Sequence, residues 1–383
     1  MRDIDMIKRM ITTNFKTLNG TEIKFDHISI FIGLNGAGKT TILQSIDFLS
    51  ALVKGNIEEW LRQRDWKKQD LTFYGSEKKL IEFDIDFQVE NNDYRWSFKF
   101  NRDLLRNTSE KIENSNGKTL LEVKDGQYTL QSKRKKEKIS FKYYGSILSQ
   151  LKDELLEEEL IKIKEFFTHI KSAELLSPLL MKKRSRKAKG DIGLGGEKLS
   201  AFLDELPLEK REELNERLKS LFHKFENFEV KTLRAGWKDL IIQERYTQKE
   251  IKTSSKHASD GLLRVMAILA QLFSEASILL FDEIEDGVNQ EIVEELVDIL
   301  LQAPVQIIVT THSPMLLNYI DIETAYNALN FVCKKDDGST YVRRFYEAAK
   351  TIDDYQKDMF GPGEHMQMIN LVELSQQTCG GKE

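Results

Sequence analysis

The stretch ISIFIGLNGAGKTT, residues 28–41, restricts what this chain can fold into more than any other. Its opening run of apolar residues lacks polar alternation, the pattern of a strand buried on both faces. That strand runs directly into Gly33-Leu-Asn-Gly-Ala-Gly-Lys39-Thr40, which meets every fixed position of G-x-x-x-x-G-K-[ST]. A helix is expected next, over residues 42–53. Strand, glycine loop and helix in this order make a phosphate-binding turn. The glycines let the backbone wrap closely, so that its N–H groups point at the α and β phosphates of a nucleotide. Lys39 brings a positive charge to the β and γ phosphates, and the Thr40 hydroxyl can ligate Mg²⁺.

A second apolar strand ends in acids. SILLFDEIEDG, residues 277–287, places Asp282 at the C-terminal end of a buried strand, where it can join a Mg²⁺ shell. Glu283 follows at once, positioned to polarise an attacking water as general base. Acids after a strand also cap following helices, but beside a phosphate loop the metal-and-base reading is the stronger. VQIIVTTH ends in His312, which a strand neighbouring Ile278–Phe281 would bring to the γ-phosphate.

HASDGLLRVMAILAQL, residues 257–272, poses a question. Leu262, Val265, Met266, Leu269 and Leu272 fall at helical spacing and need no function to explain them. Ser259, Asp260 and Gly261 are poor helix formers placed just ahead of them. A hydroxyl, free amides and the helix dipole together make an anion site. Because the chain's own phosphate loop is already complete, a second anion site points to a nucleotide held by another subunit. The alternative is that Ser259 or Asp260 only caps the helix.

ITTNFKTL and TEIKFDHISIFIG read as strands, and KKLIEFDIDFQVENNDYRWSFKF as two strands joined at ENND. Residues 104–227 are richer in charge and read as a mostly helical insertion with a hairpin at KTLLEVKDGQYTLQS. Its two helical stretches are ILSQLKDELLEEELIKIKEFFTHI and GEKLSAFLDELPLEKREELNERLKSLFHKF, separated by an exposed basic and glycine-rich loop, MKKRSRKAKGDIGLGG. Strand character returns at FEVKTL and DLIIQERY. Four segments follow: 1–103 with the phosphate loop, 104–227 as the insertion, 228–330 with the remaining motifs, and 331–383 as a C-terminal extension. Strands alternating with helices argue for an α/β fold with a mixed, largely parallel central sheet. The net charge of −5 excludes global attraction to nucleic acid or anionic membrane, so such binding has to be local, through basic runs at 132–138 and 182–189. Cys333 and Cys379 make no disulfide framework and fit a reducing cytosol. No signal peptide or membrane span is read.

The set GLNGAGKT, ASDGLLRVMAILAQL, ILLFDEIEDG and VTTHS resembles the ATPase head of the ABC class, and within it the soluble branch of SMC, RecF and OLD proteins. The resemblance covers roughly residues 5–103 and 228–320. It implies Walker A, signature, Walker B, D-loop and switch-histidine motifs, and two heads that sandwich ATP. Asn35, Gly36, Ala37, Gly38, Lys39, Thr40 and Thr41 would then hold ATP. Ser259, Asp260 and Gly261 would close the other subunit's site, Thr40 and Asp282 would hold Mg²⁺, and Asp286 would be the D-loop acid. Lys39, Glu283 and His312 would serve catalysis. Ala258 departs from the leucine common in the family, and the Q-loop glutamine is open among Gln63, Gln69 and Gln88.

About 220 residues separate Walker A from the signature, too many for a transporter ATPase. The insertion of about 125 residues suits only a short helical hairpin, and the 70 or so residues after His312 are too few for the nuclease domain of OLD proteins. The expectation is a lone head, resembling ATPase subunits of bacterial phage-defence systems. It would be a slow ATPase that dimerises with ATP and controls a separate effector. The competing expectation is a DNA-repair ATPase binding DNA through the basic runs. A third, an inert ATP-binding scaffold, sits poorly with an intact Glu283.

Overall fold

The computed structural model describes residues 4–131, 136–247, 249–349 and 359–380. The chain divides into two compact units: Met1–Ile170 with Pro304–Glu383, and Lys171–Ala303.

In the first unit the strand read from Thr21 to Gly33 is two strands. After β1 (Met6–Thr13), β2 (Thr21–Lys24) pairs antiparallel with it, while β3 (Ile28–Gly33) joins a different sheet. The break falls at Asp26 and His27, where the Asp26 amide donates to Ser29 Oγ and turns the chain. β4 (Leu80–Val89) and β5 (Asn92–Asn101) form the expected hairpin. β6 (Arg106–Asn114), β7 (Thr119–Lys124), β8 (Gln127–Leu130) and β9 (Glu137–Lys138) continue it into an antiparallel sheet ordered β2-β1-β4-β5-β6-β7-β8-β9. Much of the stretch expected to be helical insertion is therefore strand, with the hairpin at 119–130 as read.

Alternation decides which face of this sheet is covered. Ile81, Phe83, Ile85, Phe87 and Val89 of β4 are buried, as are Tyr94, Trp96, Phe98 and Phe100 of β5. The opposite face carries cross-strand ion pairs such as Lys99–Glu82 and Arg95–Asp84. The buried face receives the helix Lys39–Lys54, whose Phe48 ring lies 5.1 Å from Phe100, 5.3 Å from Phe15 and 6.2 Å from Phe83. It also receives the helix Glu158–Thr168, whose Phe167 lies 4.7 Å from Trp96 and 5.0 Å from Phe87. The short helical hairpin expected of the insertion does not form, because this helix instead spends its aromatic face on the sheet.

β10 (Ile170–Ala173) marks the passage to the second unit. There a three-stranded antiparallel sheet of β11 (Phe225–Thr232), β12 (Lys238–Tyr246) and β13 (Lys249–Ser254) packs with the helices Leu199–Glu205 and Leu208–Leu221. Those helices were expected as one. Pro207 separates them, since it lacks an N–H and pushes Leu206 to extended backbone. β13 is mostly exposed and carries no apolar alternation, so the sequence did not reveal it. The loop read as exposed is anchored: Ser185 accepts from the Lys238 amide at 2.8 Å, and Ile192 is fully buried. The helix Asp260–Leu272, β14 (Ile278–Phe281) and the helix Gln290–Leu301 also belong to this unit.

Back in the first unit, β15 (Gln306–Thr310) and β16 (Leu329–Lys334) flank β3 in parallel, and β17 (Thr340–Arg344) pairs antiparallel with β16. With a strand on each side and all six residues buried, β3 is as enclosed as its composition implied. Cys333 of β16 and Cys379, at the end of the helix Leu371–Cys379, are disulfide-bonded with Cα atoms 6.3 Å apart. That corrects the reading of two unlinked thiols; a separation of 46 residues gave no local sign that the helix would pack on this strand.

Phe48 joins four aromatic neighbours, Phe15, Trp60, Phe83 and Phe100, so Phe48→Ala is expected to cost about 3–5 kcal/mol through lost burial and a residual cavity. Equilibrium denaturation by urea measures it.

Candidate nucleotide site and signature segment

β3 delivers the phosphate loop to the C-terminal edge of its sheet, and the loop is fitted there by steric limits at two glycines. Gly33 has φ 150°, and a Cβ on it would lie 2.2 Å from the Val332 carbonyl oxygen of β16. Gly38 has φ 112°, and a Cβ on it would lie 2.1 Å from Thr340 Oγ1. Both a side chain and an ordinary backbone conformation are excluded at these points. Thr340 braces the loop further: its hydroxyl donates to the Ala37 carbonyl at 3.0 Å and lies 2.8 Å from Thr17 Oγ1. Asn35 and Gly36 are exposed at the loop's crest, Ala37 is buried beneath them, and Thr40 and Thr41 open the helix.

As the N-cap of the helix Lys39–Lys54, Gly38 brings no side-chain acceptor to the first-turn amides. Those amides and the positive end of the helix dipole are what an anion requires. The buried Lys39 ammonium donates to the carbonyls of Gly33 at 3.0 Å and Leu34 at 3.2 Å, holding it over the loop. The loop's shape and charge therefore fit a nucleotide phosphate. Lys39, Thr40 and Thr41 form the first turn of this helix, which begins three residues earlier than expected.

His312 follows β15. The register Thr310↔Phe31 and a bond from the Thr311 amide to the Phe31 carbonyl bring it out beside the start of the loop. Thr17 and Thr340 are contributors that sequence reasoning missed. Each stands in an ordinary turn context, and only the fold brings them to Gly38. Thr17 also lines a cavity of about 760 Å³ with Lys16, Gln69, Asp70, Arg102 and the almost fully exposed Tyr74. Of the Q-loop candidates, Gln69 alone lines it; Gln63 ends a short helix and Gln88 lies on β4.

The second unit holds the remaining motif residues together. Asp282 and Glu283 follow β14, and Glu283 adopts φ 46°, the left-handed region that a side chain disfavours. The cause of its placement lies on the signature helix. Arg264, with its side chain only 7% exposed, pairs with Asp286 at 2.9 Å and donates to the carbonyls of Glu283 at 3.1 Å and Asp282 at 3.5 Å. One guanidinium fork thus ties the helix to the whole Asp282–Asp286 turn.

The question posed by Ser-Asp-Gly has a structural answer at each residue. Ser259 is the N-cap, its hydroxyl accepting from the Leu262 amide at 3.3 Å, while remaining exposed. Asp260 occupies the first turn, where a carboxylate suits the dipole, and pairs with Lys182 at 2.6 Å. Gly261 lets the helix start lie against the end of the Asp282–Gly287 segment, since a Cβ there would sit 2.7 Å from the Gly287 carbonyl oxygen. Capping and an accessible helix terminus coexist here.

Of the two basic runs, Lys182, Lys183 and Arg184 line a cavity. Residues 132–135 of the other lie outside the described residues. Among the described residues no helix is long and apolar enough to cross a membrane.

Comparison with known proteins follows this geometry. Residues 28–318 match the AAA_21 family, described as "AAA domain, putative AbiEii toxin, Type IV TA system". No curated protein matches. Among solved structures, an SMC head bound to the C-terminal winged-helix domain of ScpA is 18% identical, with TM-score 0.52, covering 90% of this chain and 99% of that one. An SMC head with an extended coiled coil, bound to the C-terminal domain of ScpA derived from Pyrococcus furiosus, is 15% identical, with TM-score 0.53, covering 92% and 100%.

Arg264→Ala is expected to destabilise the chain by about 2 kcal/mol, the scale of charged hydrogen bonds lost from a buried donor. Faster amide hydrogen exchange confined to residues 282–288 is the measurement that separates this from general loosening.

Proposed function

Since the chain belongs to the AAA_21 family and is an ABC-type ATPase of SMC-head fold, we propose that it binds and slowly hydrolyses ATP with Mg²⁺, and that ATP closes two copies into a head-to-head dimer controlling a separate effector in defence against phage. The observation that carries the switching part is the Arg264 fork. It makes the exposed start of the signature helix and the Asp282–Asp286 turn one mechanical piece, so an anion bound at Ser259 would be felt at Glu283.

Each residue then has a task. The loop amides of residues 35–38 and Lys39 bind the phosphates, with Lys39 leaving the Gly33 and Leu34 carbonyls to do so. Thr41 supports the same loop. The cavity beside Thr17, with Tyr74 at its edge, receives the base. Thr40 and Asp282 would hold Mg²⁺, which would supply neutralisation of phosphate charge. Glu283 takes the proton of the attacking water, and its unfavourable φ supports this role, because such strain persists where geometry is over-determined by function. His312 contacts the γ-phosphate. From the other copy come Ser259, the Gly261 amide and Asp260, with Asp286 on the D-loop. That SMC heads have been solved with a bound ScpA domain supports a partner protein as the receiver of the switch.

Glu283→Gln is expected to keep ATP binding while turnover falls about 10²–10⁴-fold, the range for a lost general base. In that variant ATP–Mg²⁺ should double the solution mass measured by light scattering, and a further Ser259→Arg should abolish the rise. A mass indifferent to ATP and to Ser259 would remove the trans-acting role and leave Ser259 a cap. Lys39→Ala should lose the Mg²⁺-dependent binding of ATP at the phosphate loop, measured by calorimetry with ATP–Mg²⁺.

A further inference from the structure

The basic run beginning at Lys182 is an exposed loop pinned at Ser185. Lys182, Lys183 and Arg184 face Arg234 and Lys256 across a cavity of about 890 Å³, with Trp237, Leu179 and Leu233 completing its wall. Among the described residues no carboxylate lines it. Lys182 and Arg184 are paired outward, with Asp260 at 2.6 Å and Asp239 at 3.0 Å. Lys183, Arg234 and Lys256 make no ion pair among the described residues, so three cations share one concavity without a counter-charge. Grouping like charges this way is unfavourable until an anion joins them. The apolar part is equally specific. Trp237 is 38% exposed, and the Arg186 guanidinium lies 4.7 Å from its ring centroid, a cation–π contact that helps to hold the indole. Leu179, 73% exposed, leaves an apolar surface beside it.

We infer that this cavity is a second nucleotide site, separate from the phosphate loop, in which a phosphate group meets Lys183, Arg234 and Lys256 and a base stacks at Trp237. A phosphate brings up to two charges and three acceptor oxygens to one point, which matches converging cations better than single carboxylates spaced along a peptide. A flat ring uses the indole and leucine surfaces that a bare anion would leave exposed to water. The ligand is either a free nucleotide or the phosphorylated end of a single strand. Lys182 belongs both to this cavity and, through Asp260, to the first turn of the signature helix, so a bound phosphate competes for Lys182 and loosens that turn. Binding needs no ATP turnover and stands apart from the hydrolytic reading.

The test uses the full chain carrying Lys39→Ala, without ATP or Mg²⁺. Thymidine 5′-diphosphate is titrated calorimetrically, and 5′-phosphorylated dT10 with a 3′ fluorophore by anisotropy. At least one probe should bind, and its affinity should fall about tenfold in Trp237→Ala and at least as much in Lys183→Ala/Lys256→Ala, with melting temperature unchanged. Displacement of dT10 by the diphosphate assigns a free nucleotide; dT10 binding that the diphosphate leaves intact assigns a strand end. The inference is overturned if neither probe binds, if the variants bind as the parent does, or if octaglutamate displaces either probe as well as pyrophosphate does. For the link to the signature, the bound probe should speed amide exchange at residues 260–263 in the Lys39→Ala chain. With Lys182→Ala added, exchange should already be fast and the probe should change nothing; slow exchange there, or an unchanged rate on binding, refutes the link.

Discussion

Backbone of the phosphate loop passes β16 and the start of β17 more closely than any side chain allows. The Val332 carbonyl would meet a Cβ on Gly33, and the Thr340 hydroxyl would meet one on Gly38. This closeness has an architectural source. β3 is hydrogen-bonded in parallel on both sides, by β15 and β16, so its C-terminal end emerges among neighbours rather than at an edge. A loop leaving that position must turn within the width of one strand spacing, and only glycine permits the turn. The helix that follows is then held by the aromatic cluster at Phe48, with the antiparallel sheet as its platform.

The second unit uses a different device to the same end. Its motifs lie on a helix start and on a turn after a strand, neither of which is rigid by itself. Arg264 makes them one piece by placing charged donors on two carbonyls and a carboxylate of the turn, while the contact between Gly261 and Gly287 removes the space in which they could slide. The low exposure of the guanidinium matters, because the same bonds in full solvent would compete with water. Lys182–Asp260 adds a third tie, weaker for being more exposed, and therefore the one a competing anion can break.

Much of this was legible in the residues. The octad at 33–40, the strand before it and the helix after it are local, because a phosphate cradle is built from consecutive amides. Asp282 and Glu283 at the end of four buried apolar residues are local for the same reason. The helical insertion was misread where charge composition hid pairing: β6 alternates only weakly in burial, and β9 is two residues long. Pro207 was visible and was the warning that a long helix would break. The basic run is loop, as read, but nothing local shows that Ser185 would pair with Lys238 and that Lys182–Arg184 would line a cavity with Trp237.

What the sequence determined by itself was the class of fold and the placement of each motif at a strand end or helix start, because both depend on residues within a few positions of one another. What only the tertiary structure decided was which distant groups complete them: Thr17 and Thr340 at Gly38, Arg264 on the Asp282–Asp286 turn, Cys333 with Cys379, and Trp237 among the cations of residues 182–184. These partners lie 18 to 323 positions apart. Their identity follows from how sheets and helices pack, and packing is a property of the whole chain, with no local signature to read.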